Sequence, residues 1–265
     1  MDRQALKARA GAAMIGALSI AIMLTSCASS PKTTYRADSG EAVTVDWAAY
    51  PGHAGMDAGD VLRAPPAEET RAVSARILGE IEARLSDEFA LAWEDGPTDG
   101  HVGEGEFYPQ EGNGYGGRSL YVTFNSAARE SLSIPSRAED WNRIVEIITD
   151  VTQAHGLGSL KLDSLDSERA AENAERSGSE NPDEQWQWFG TANGDSQWVA
   201  VSLINIDRDE SGKAAGEIGV ETGWNARSIN ISYGATTVGI GDRDAFLKRI
   251  EPYEGLTRPD ATTSD

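Results

Sequence analysis

The sequence predicts an α+β fold: a two-layer sandwich of two amphipathic helices on an antiparallel sheet of five or six strands. Two stretches repeat apolar residues at helical spacing, and the last third of the chain alternates apolar with polar residues in short runs. Seven Trp and seven Tyr among 265 residues supply bulk for a real core.

The first helix follows Pro65 and Pro66, where Glu68 and Glu69 suit an opening turn. Val73, Ile77, Ile81 and Leu85, with Leu78 beside them, make an apolar stripe opposite Arg71, Arg76, Glu80, Glu82 and Arg84. Residues 89–93, Phe-Ala-Leu-Ala-Trp, read as a strand, and Leu120, Val122 and Phe124 as another. Between them, residues 95–118 form a glycine-rich connection, expected to be mobile. Gly112, Gly114, Gly116 and Gly117 there lack the Lys-Ser/Thr of a phosphate-binding loop.

The second helix has the fullest signals. Ser136 and Glu139 match a capping box, and Trp141, Ile144, Val145, Ile148, Val151 and His155 share a face. Gly156 stands where a left-handed cap would end it. Leu160 and Leu162 suggest a brief strand, and residues 166–182 a polar excursion, partly helical through Ala170, Ala171 and Ala174. Strands are then expected over 185–191, 197–206, 217–224 and 228–233. The run 197–206 is apolar on both sides at its start and should lie centrally. In the last run Ile229, Ile231 and Tyr233 alternate with Ser228, Asn230 and Ser232, which implies one wet face. Residues 242–250 suit a short closing helix. The domain so defined spans 65–254, between a flexible tether at 27–64 and a disordered tail at 255–265. Alternation at Val43, Val45 and Trp47 leaves room for a short docked strand within the tether.

Charge narrows the partners. The chain carries 43 acidic and 23 basic side chains, a formal −20. Arg3, Lys7 and Arg9 against Asp2 make the first 26 residues +2, so the remainder holds −22. Such a surface repels phosphate backbones, and no nucleic-acid partner is expected. Cys27 is the single cysteine, which rules out an intrachain disulfide or a cysteine metal site.

The position of Cys27 gives it a meaning. A positive start is followed by an uncharged apolar stretch at 10–24 and then by Leu24-Thr25-Ser26-Cys27. This resembles the lipobox of bacterial lipoprotein precursors. The resemblance implies a signal peptide over 1–26, cleaved between Ser26 and Cys27, with S-diacylglyceryl and N-acyl modification of Cys27. Buried acyl chains contribute about 0.8 kcal/mol per CH₂, so such an anchor is stable. The implied address is the extracytoplasmic face of the cell membrane. The order of elements, in 71–93, 141–156 and 227–233, is similar to actinobacterial lipoproteins of the LppA type. That implies a fold and an address, and no settled activity.

Two local patterns are candidate sites. Asp207, Asp209 and Ser211, followed by Gly212, match the start of an EF-hand calcium loop. The twelfth position is Ile218 instead of Glu, and a polar hairpin turn needs the same residue types. Trp186 and Trp188, with Trp198 on the next strand, could stack on sugar rings or fill the core. No two His share a metal-ligand spacing, and no nucleophile motif is present, so neither cofactor nor catalytic residue is assigned. The expected function is a non-enzymatic surface lipoprotein that binds an envelope protein or cell-wall component. The alternatives are a cell-wall hydrolase with a site assembled from distant residues, and a calcium-dependent envelope module.

Overall fold

A computed structural model of the chain describes residues 30–96, 105–166, 168–212, 214–218 and 225–263. In order they form β1 (Lys32–Arg36), β2 (Ala42–Asp46), α1 (Ala58–Arg63), α2 (Ala67–Phe89), β3 (Glu94–Asp95), β4 (Glu106–Pro109) and β5 (Val122–Asn125). After these come β6 (Arg129–Ser131), α3 (Ala138–Ala154), β7 (Lys161–Leu162), α4 (Ala170–Ser177), β8 (Gln187–Asn193) and β9 (Gln197–Asn205). The chain closes with α5 (Ala214–Glu217), β10 (Arg227–Thr237) and α6 (Ile240–Ile250).

The fold is α+β, and the sheet exceeds the expected five or six strands. Eight strands run in the order β3-β6-β10-β9-β8-β7, with β5 also on β10 and β4 on β5, all antiparallel. β10 is eleven residues long, so β6 pairs with its first half and β5 with its second. β7 is the brief strand expected at Leu160 and Leu162, and the extra strands β3, β4 and β6 are two to four residues long, too short for their periodicity to be read.

Ile77, Ile81 and Leu85 of α2 and Ile144, Ile148 and Val151 of α3 share a core with Trp188, Leu203, Ile229 and Ile231. Trp141 fixes the start of α3. Its Nε1 donates to Pro135 O at 2.7 Å, and its ring meets Trp188 edge-on at 5.2 Å. The Arg208 guanidinium lies 4.0 Å above the same ring.

A second core overturns the expected tether. β1 and β2 pair as a hairpin, and Trp47, Tyr50, Val61, Tyr115, Tyr121, Phe246 and Tyr253 close around it. Trp47 is 0% exposed. Residues 32–64 therefore belong to the folded body. A two-stranded hairpin has no core of its own and is marginal alone, so its signal in the sequence is weak. The tail also docks: Tyr115 Oη donates to Pro259 O at 2.8 Å, and Thr262 N donates to Gly114 O at 2.7 Å.

Other differences are local. Phe89 ends α2 and residues 90–93 are coil, because Ala90 adopts a left-handed cap with φ 54° and donates its N–H to Ser86 O. No capping box forms at α3: the helix starts from Arg137, without a side-chain cap, and Ser136 stands one place too early. Gly156 does end the helix in the left-handed region, φ 78°. The run expected as a strand at 217–224 meets α5 at Glu217, and 219–224 lies outside the described residues. The described part of the loop at 95–118 contains β4 and is held by Asn113, which is buried.

Candidate functional site

A groove of about 770 Å³ lies between the first turn of α2, the β4–β5 pair and α6. Phe107, Leu120 and Val122 give it an apolar floor. Arg71, Arg118 and Arg249 stand on its walls, with Glu68, Glu111 and Asp242 among them.

The walls follow from the helix starts. Gly239, at the N-cap of α6, has no side chain to satisfy the orphan N–H groups there. Glu68 takes that role, its Oε2 accepting from Ile240 N at 2.8 Å. The bond holds the Glu68 carboxyl below its ordinary range and pins the two helices together. The Arg71 guanidinium lies 4.8 Å from the Phe107 ring centre and donates to Gly105 O at 3.0 Å. Arg249 donates to Ala49 O at 3.3 Å. Arg118 is exposed and makes no side-chain hydrogen bond or ion pair with a described residue. The one serine in the wall, Ser119, donates its Oγ–H to Pro51 O at 3.3 Å and accepts from Tyr121 N at 2.9 Å. Tyr121 is buried, which raises its phenol well above the usual range.

No family model, no curated protein and no solved structure matches this chain. The site therefore has to be read from its own residues.

The calcium pattern is used internally. Asp207 accepts two bonds from Arg227, both at 2.6 Å, and its own N–H donates to Asn205 Oδ1. Asp209 accepts from Ser211 N, Ser211 Oγ and Ala214 N, which makes it a turn and helix-start acceptor. Among the described residues no group of three His, Cys, Asp or Glu is placed to hold a metal ion. The polar-turn alternative accounts for Asp207, Asp209 and Ser211.

Trp186 and Trp188 are 0% and 2% exposed and form parts of two different cores, so neither offers a ring to a sugar. On the sheet face away from α2 and α3, Phe189 and Trp198 are half-buried beside Ser202, Asn230 and Ser232, and register with Thr123 and Thr236 puts the exposed Tyr108 on the same face. Strand parity puts Phe189 opposite Trp188, a signal that Trp spacing alone does not carry. Trp198 lies across Gly234, where a Cβ would come within 2.1 Å of the ring. His155 Nε2 is 2.9 Å from Glu80 Oε2, tying the end of α3 to α2. His53 Nδ1 accepts from Gly55 N at 3.0 Å. Cys27, the signal residues before it and His101 lie outside the described residues.

Proposed function

We propose that this chain is a lipid-anchored lipoprotein of the extracytoplasmic membrane face, whose domain binds an envelope partner without chemistry through the groove at Arg71, Arg118 and Arg249. The carrying observation is Arg118. Arg118 stands exposed at the groove wall with no side-chain hydrogen bond or ion pair to a described residue, so its guanidinium is open to an acceptor group of a partner. Arg side chains beside apolar floors are favoured at recognition surfaces, since they offer planar donors and a weakly hydrated charge. The commitment of Ser119 to backbone partners also favours recognition over nucleophilic chemistry.

The lipobox supports the anchor. Similarity to LppA-type lipoproteins supports the envelope address through α2, α3 and β10, although the Trp-bearing strand at 89–93 is reduced to β3 just after Trp93. We read the framework as two layers, with α2 and α3 over one face of the sheet; their shared core with β8, β9 and β10 supports this.

Photo-crosslinking in intact cells, with a probe at Leu120, tests the groove. A saturable crosslinked species is expected, lost in Arg118→Glu and kept in Glu210→Lys. Retention of the species in Arg118→Glu, or none in the wild type, would refute the groove. The anchor is tested by fractionation, in which Cys27→Ala should move the chain from membranes to the soluble fraction.

A further inference from the structure

The chain docks onto its domain almost at once after the lipobox. Ser30 Oγ donates to Asp46 Oδ1 at 2.5 Å, and Pro31 O accepts from Trp47 N at 2.9 Å. Trp47 Nε1 donates to Thr33 Oγ1 at 2.9 Å, and Tyr253 Oη donates to Asp46 O at 2.7 Å. These bonds tie residues 30–33 to a core whose centre, Trp47, is sealed from water. Cys27 precedes Ser30 by three residues, a span of at most about 11 Å. One leaflet's headgroup layer is roughly 5–8 Å thick. A domain fastened by Cys27 therefore has only a few ångström of slack, roughly 3–6 Å, beyond the headgroup layer.

The face beside that attachment has its own chemistry. β1 alternates, with Lys32, Thr34 and Arg36 exposed and Thr33 and Tyr35 turned inward. Register places Asp46, Thr44 and Ala42 opposite those three, so one outer face carries two cations, two threonine hydroxyls and a single carboxylate. Asp46 is engaged by Ser30, and it lies 3.5 Å from Lys32 Nζ. The paired strands carry two cations against one carboxylate on this face, with Asp38 and Glu41 exposed in the turn that joins them, on a molecule whose total is −20. Cations beside hydroxyls suit phosphate oxygens.

We propose that the outer face of the β1–β2 hairpin lies against the phospholipid headgroups of the bilayer that holds the Cys27 lipid. This rests on the lipoprotein reading given above. It fixes which end of the domain is proximal. Val238, just past the end of β10, belongs to the core that holds Trp47. Arg227, at the start of β10, pairs with Asp207 and so marks the opposite end, about 33 Å away along the strand. The wall residue Arg249 is bonded to Ala49, so the groove opens near the bilayer end.

Lipidated full-length protein in vesicles carrying a headgroup-linked quencher provides the test. With Cys27 acylated, Thr34→Cys or Glu210→Cys offers one thiol for a dye. Dye at Thr34→Cys should be quenched several-fold more than dye at Glu210→Cys. Twenty Gly/Ser residues inserted between Ser29 and Ser30 should abolish the difference. Thr44→Cys, on the same face, repeats the measurement if the first label perturbs the hairpin. Equal quenching at both ends of a chain whose mass shows the lipid overturns the apposition alone. A chain whose mass shows no lipid overturns the lipoprotein reading, and the apposition with it.

Discussion

Asn113 is fully buried, and each polar atom of its side chain has a partner. Nδ2 donates to Trp47 O at 3.0 Å and Tyr50 O at 2.8 Å, while Oδ1 accepts from Tyr115 N and Gly117 N. One amide thus joins the turn after β2 to the loop before β5. Gly117 completes the fit, since a Cβ there would fall 1.7 Å from Ala48 O. Asn113→Ala leaves buried backbone groups unmet and should cost about 3 kcal/mol, read from the urea midpoint. Asp46 makes the same junction pH-sensitive. The Ser30 hydroxyl first, and the Ala48 N–H second, hold its carboxyl below the ordinary value. A depressed folded pKa stabilises above the unfolded value, roughly 3.9, and that contribution is lost as pH falls through the folded one. Protection of the Trp47 N–H, which donates to Pro31 O, should therefore be constant from pH 7 to about 5 and fall in stronger acid. Asp46→Asn should flatten that dependence, and an unchanged profile would refute it.

Among the elements, α2, α3, β9 and the first half of β10 were legible because each is long enough to repeat its period several times. Ile144, Ile148 and Val151 reach the core the spacing assigned them. The misread stretches are those where tertiary packing decides. Residues 89–93 have a strand's composition, yet α2 runs on through Phe89. Val43, Val45 and Trp47 show too few alternations to separate a hairpin from a tether, and what decides is the aromatic cluster contributed from residues 115, 121, 246 and 253. No local pattern could show the groove either, since its walls come from segments more than a hundred residues apart. The calcium motif has two readings in the sequence because Asp, Ser and Gly serve turns as readily as ions. At β10, Gly234 gives room for the Trp198 ring. Gly234→Ala should force that ring aside at a cost of about 1–3 kcal/mol and shift its emission, whereas Gly216→Ala, with open space at its Cβ, serves as control.

For the whole molecule, charge imbalance is the dominant long-range term. Many arginines sit in exposed pairs such as Arg143 with Glu88 or Arg63 with Asp195, each worth at most about 1 kcal/mol. Twenty uncompensated negative charges repel one another over a Debye length that shrinks from about 30 Å at 0.01 M salt to about 10 Å at 0.1 M. Self-repulsion outweighs the pairs, so the urea midpoint should rise between those two salt concentrations. A fall would mean the ion pairs dominate.

The ordering of the sheet bears on life at high density. Its long strands, β9 and β10, are interior, while the rims described are β3, β4 and β7, of two, four and two residues, with Pro109 closing β4. Such stubs give a neighbouring copy almost no ladder to extend. Copies crowded side by side would meet the eight-stranded sheet at blunt rims that carry Glu94, Asp95 and Glu106, and that sheet would not zip into fibrils.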